Sequence, residues 1–80
     1  MKNTMTNEET KSEKFVRLAE HRVNLIIEQF RKLGNLSNTR NYEYTDDQVK
    51  RIFFELNKTL RKTKTMFAEN SNKKSKRFKL

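Results

Sequence analysis

Eighty residues allow one small domain, and this chain carries 19 Lys and Arg against 10 Asp and Glu, a formal charge of +9. Only 32% of it is hydrophobic, with no Cys, no Pro, one Gly and one His. That composition excludes a disulfide framework and a Cys-ligated zinc site, and no apolar run longer than Leu25-Ile26-Ile27 exists to cross a membrane or form a signal-peptide core.

Residues 1–11 are polar and lack periodicity, so we expect a flexible N-terminal tail. A helix is predicted over about 12–33, started by Ser12 or by Thr10, whose spacing to Glu13 is that of a capping box. At about 100° per residue, Phe15, Ala19, Val23, Ile26, Phe30 and Leu33 share one face. Leu18, Leu25, Val16 and Ile27 flank it and make the stripe wider than one neighbouring helix needs. Gly34 follows, placed where a left-handed terminating residue is wanted. Residues 35–44 form a polar connection anchored by Leu36, Tyr42 and Tyr44.

The second helix, predicted over about 46–69, has the clearest start. Thr45 and Gln48 form a capping-box pair, Tyr44 and Val49 have hydrophobic-staple spacing, and Asp46 and Asp47 sit where the helix dipole favours anions. Val49, Ile52, Phe53, Leu56, Leu60, Thr63 and Phe67 then recur at three- and four-residue steps, and Asn70 stands as a terminator. Residues 71–80 carry Lys73, Lys74, Lys76, Arg77 and Lys79 without an acid, and read as a flexible, solvated basic arm. The expected fold is all-α: a two-helix antiparallel hairpin over 12–70, between flexible tails. A lone hairpin buries little apolar surface against its ordering entropy, so a homodimeric four-helix bundle is expected.

Catalysis finds little support. His21 lies on the polar side of the first helix with no second His, and no base is placed beside a candidate nucleophile. We expect no enzyme, no metal and no cofactor. Without Cys or an export signal, the expected location is cytoplasmic.

The outer face of the second helix is more informative. Taking Val49 as zero, Lys50 falls at about 100°, Arg61 at about 120°, Phe54 at about 140°, Lys58 at about 180°, Arg51 at about 200° and Lys62 at about 220°. Cations around an aromatic suit nucleic acid: they neutralise phosphates and release counterions, and the ring stacks or wedges. The competing reading is a solvated charged face, with Phe54 covered by the loop, a second protomer or a partner. The basic arm extends the same chemistry, and phosphate contacts of this kind carry no sequence readout. Arg22 falls inside the apolar stripe of the first helix; its stem packs while its guanidinium pairs with an acid such as Glu55, or else it anchors a partner. Tyr44 reads as structural, and Tyr42 as structural or as a partner contact.

The string Arg22-Val23-Asn24, then Leu33-Gly34-Asn35-Leu36-Ser37-Asn38, Asn41-Tyr42-Glu43-Tyr44-Thr45, and Ile52-Phe53 with Leu56 and Leu60, resembles a group of small helical proteins from phages, plasmids and genomic islands of Gram-positive bacteria. The resemblance covers residues 15–68, carries no established activity and transfers no site residue. It implies a mobile-element accessory protein and favours DNA over RNA.

The expected function is therefore nucleic-acid binding through Lys50, Arg51, Phe54, Lys58, Arg61, Lys62, Lys73, Lys74, Lys76, Arg77 and Lys79. The alternative is a module that docks through Arg22, Tyr42 and Phe54 on a larger nucleic-acid-processing or defence protein. A membrane surface is not an expected partner, because such binding needs an exposed apolar helix face.

Overall fold

The computed structural model describes the backbone of residues 8–79 and the side chains of residues 8–71. Two helices, α1 (Lys11–Asn35) and α2 (Asp46–Lys79), account for nearly all of it, with no strand among the described residues. The chain divides into two units, Met1–Glu43 and Tyr44–Leu80, each carrying one helix. The expected flexible tail over 1–11 falls largely outside the described residues. Its described end leads directly into α1.

α1 starts where the sequence places it. The Thr10 hydroxyl accepts the Glu13 N–H at 3.0 Å, and Glu13 Oε1 accepts the Thr10 N–H at 3.0 Å, so two otherwise orphaned donors are satisfied reciprocally. Its end is a correction. Gly34 lies inside the helix, outside the left-handed region, and α1 continues to Asn35. The Leu36 N–H bonds Leu33 O and the Ser37 N–H bonds Gly34 O, both at 3.0 Å. These three-residue steps tighten the last turn and satisfy terminal carbonyls without a left-handed residue.

Asn38 organises the connection. Its carbonyl accepts the N–H of Asn41 at 3.2 Å and of Tyr42 at 3.0 Å, and its Oδ1 accepts the Arg40 N–H at 2.9 Å. The last is an Asx-turn, a local bond that Asn is well suited to make. The loop is therefore ordered by hydrogen bonds rather than by burial of its expected anchors, since Leu36, Tyr42 and Tyr44 are all exposed.

The start of α2 is also as expected: Thr45 Oγ1 accepts the Gln48 N–H at 3.1 Å and Gln48 Oε1 accepts the Thr45 N–H at 2.8 Å. Its end is the second correction. No break occurs at Glu69, and the helix runs through Lys79, so the stretch read as a loose arm continues α2. Asn70 does not terminate it, because its Nδ2 donates to Met66 O at 2.9 Å within the same helix. No Gly or Pro follows Gly34 to stop the winding, and cations near a helix C-terminus are favoured by its dipole. Thr63 and Thr65 likewise donate to the carbonyls of Thr59 and Arg61, both at 2.9 Å, so a hydroxyl on the apolar stripe is satisfied internally.

Neither helix has a buried residue among those described. Leu18, Ala19, Leu33, Val49 and Leu56 are half-buried, and the other large apolar stripe residues are exposed.

Candidate nucleic-acid interface

The candidate interface is a flank of α2. A helix carries residues three and four apart on neighbouring positions of one face. From Phe54, Lys50 and Arg51 stand four and three positions before, Lys58 four after, and Arg61 and Lys62 seven and eight after. Residue spacing thus gathers five cations around one ring. Phe54 is 64% exposed, as much as any large apolar residue described. Exposure alone does not mark it, because Met66 and Phe67 reach 64% and 62%. Position does: among the described residues of α2, Phe54 is the one aromatic opposite the apolar stripe.

Electrostatics separates α2 from α1. On α1, Arg17 forms a two-pronged pair with Glu9, and Arg31 pairs with Glu28, Nε to Oε1 at 3.1 Å. The bond from Arg31 holds the Glu28 carboxyl below its usual range, and that from Arg17 does the same for Glu9. These are the ion pairs among the described residues, and none lies on α2. Asp46 and Asp47 precede Lys50 and Arg51 by four residues, a spacing that permits pairing, yet neither pair closes. Both aspartates lie in the first turn, where backbone N–H groups and the dipole hold negative charge. Lys50, Arg51, Lys58, Arg61 and Lys62 therefore have no carboxylate partner among the described residues.

The structure brings these five cations and Phe54 onto one flank. The side chains of Lys73, Lys74, Lys76, Arg77 and Lys79 lie outside those described. Their backbone continues α2, which gives the positions a helical register. Lys76 and Lys79 follow Lys58 and Arg61 by eighteen residues, about five full turns, and so occupy the same angular positions.

The proposed partner-binding residues are less coherent. Arg22 is exposed and forms no ion pair with a described carboxylate of its own unit. Tyr42 is exposed and ends the Asn38 turn through its backbone N–H. Arg22 and Tyr42 belong to the first unit and Phe54 to the second. The sequence reading overlooked Asn38, whose place in Asn35-Leu36-Ser37-Asn38 was a usable turn signal. His21 is exposed, and no three His, Asp or Glu residues cluster as metal ligands among the described residues. No helix described is long and apolar enough to cross a membrane. No family model matches the chain, and neither a curated protein nor a solved structure matches it.

Proposed function

We propose that this chain is a small, non-enzymatic nucleic-acid-binding protein that contacts phosphates without sequence readout. The observation that carries the proposal is the unpaired set Lys50, Arg51, Lys58, Arg61 and Lys62 around exposed Phe54. Cations that neutralise phosphates release the counterions condensed on the polyanion, and cations without a carboxylate partner do so without first giving up an ion pair. Lys76 and Lys79, at the angular positions of Lys58 and Arg61, continue the basic flank along α2, and Lys73, Lys74 and Arg77 add positive charge to the same end of the chain. The resemblance stated above supports a role as a cytoplasmic accessory protein of a mobile genetic element, with DNA as the more natural target.

The apolar stripes support the architecture that goes with this function. The stripes of α1 and α2, each taken by itself, carry Phe15, Val23, Ile26, Phe30, Phe53, Leu60 and Phe67 as exposed side chains, and apolar helix faces gain stability only when covered. Packing α1 against α2 as an antiparallel hairpin, and two hairpins as a four-helix bundle, covers both stripes and leaves the basic flanks outward. Sedimentation equilibrium tests this: a dimer is expected, and a monomer at micromolar concentration would remove the bundle.

The same exposed stripes favour a second reading, in which a larger nucleic-acid-processing or defence protein covers them and Arg22, Tyr42 and Phe54 contact it. Fluorescence anisotropy at two ionic strengths discriminates. Binding to nucleic acid that weakens steeply with salt supports the first reading. Absence of salt-dependent binding to duplex, single strand and RNA overturns it. A stoichiometric, nuclease-resistant protein partner in its place supports the second.

A further inference from the structure

Phosphate neutralisation explains the cations of the α2 flank but not the ring among them. A duplex satisfies Lys50, Arg51, Lys58, Arg61 and Lys62 through its backbone alone, and its bases already stack on one another. A phenyl ring on a convex helix surface then finds a free base face only by wedging a base step open, which costs unstacking energy. A single strand presents its base faces without that cost, and stacking on an aromatic side chain is tolerant of sequence because every base has a π-face.

We infer that the α2 flank is built for a single-stranded polynucleotide, with Phe54 as the platform on which one base stacks and the surrounding cations holding the phosphates on either side. This rests on the nucleic-acid reading above and specifies its ligand. The geometry is that of one ring with cations a helical turn before and after it. Lys50 and Lys58 each lie four residues from Phe54, about 6 Å along the helix axis in opposite directions. Their flexible stems, and the planar fork of Arg51 and Arg61, reach along the backbone of a strand whose base lies on the ring. Among the described residues, no carboxylate pair has to be broken first. Glu55 lies about 100° around the helix from Phe54, at the edge of the flank; Asp47 and Glu69 share the flank's angular range, at about 160° and 200°, and neither is ion-paired with a described cation of α2.

The test uses the full chain with labelled oligothymidylate, an oligouridylate of equal length, and a duplex of equal length, at matched salt. The wild type is expected to bind the single strands more tightly than the duplex. Phe54→Ala should weaken single-strand binding by about five- to a hundredfold and duplex binding by less than about twofold. The chain has no Trp, so Phe54→Trp installs a unique reporter. It should retain single-strand affinity, and the introduced indole should be quenched by single strands but not by duplex. Quenching by only one of DNA and RNA identifies that one as the ligand. Circular dichroism of both variants should match the wild type, since Phe54 lies off the apolar stripe. If the indole is not quenched by either single strand, or Phe54→Ala weakens duplex and single strand equally, the stacking role is overturned. In that case salt-dependent binding still upholds the broader reading, whereas its absence with every probe removes both.

Discussion

Arg17 reaches back eight residues to Glu9, Nε to Oε2 at 2.6 Å and Nη2 to Oε1 at 3.0 Å, and fastens the residue before the Thr10 cap onto the body of α1. Glu28 and Arg31 make a second such pair on the same helix. α2, whose spacing offers pairs just as readily, forms none among its described residues. Two of the α1 arginines are thus matched by carboxylates, whereas no cation of α2 is, among the described residues.

Both α1 pairs should respond to acid. The hydrogen bond from arginine depresses the carboxyl pKa of Glu9 and Glu28 in the folded chain. A depressed carboxyl stabilises the folded state above its unfolded pKa, and that contribution is lost as pH falls through the lower, folded value. Ellipticity should therefore drop as pH is lowered through the acidic carboxylate range, and less so in a Glu9→Gln, Glu28→Gln double variant. The groups are solvent-exposed, so high salt should shrink the difference.

Thr45→Ala removes the Oγ1 acceptor for the Gln48 N–H, while the backbone N–H of residue 45 keeps its bond to Gln48 Oε1. The expected cost is about 1 kcal/mol, as is that of Thr10→Ala at the matching box on α1. Thermal melts followed at the helical minimum check both, and two unchanged midpoints would contradict the capping assignment.

Gly34→Ala should stabilise the chain by about 0.5–1 kcal/mol. A Cβ there meets nothing within 4 Å, and the backbone is helical rather than left-handed. Alanine then restricts the unfolded chain at no cost to the folded one. Had Gly34 been a left-handed terminator, the same change would destabilise, so the sign of the shift in a denaturant midpoint decides the matter.

Removing residues 71–80 should lower helical ellipticity, because the helix loses residues 71–79. It should also flatten the salt dependence of nucleic-acid binding by up to about 4.5 in log–log slope, if all five cations contact phosphates of a duplex. Lys58→Gln and Arg61→Gln should each reduce the slope by about one while leaving ellipticity unchanged. A slope unaffected by these substitutions would argue against phosphate contact by the α2 flank.

The starts of both helices and the angular grouping of Lys50, Arg51, Phe54, Lys58, Arg61 and Lys62 were legible in the amino-acid order alone. A capping box is a reciprocal bond across three residues, and angular position follows from helical pitch, so neither depends on distant parts of the chain. The ends of the helices were not legible. Gly34 and Asn70 are residue types that often stop a helix, but each is compatible with continuing it, and only the backbone conformation and the bond from Asn70 to Met66 decided that they do. Charge pairing was likewise undetermined, because Asp47–Arg51 and Glu28–Arg31 both have permissive spacing and the outcome depends on rotamers and on competing backbone donors. The three-dimensional arrangement therefore decided which cations are free, and free cations are what a polyanion can use.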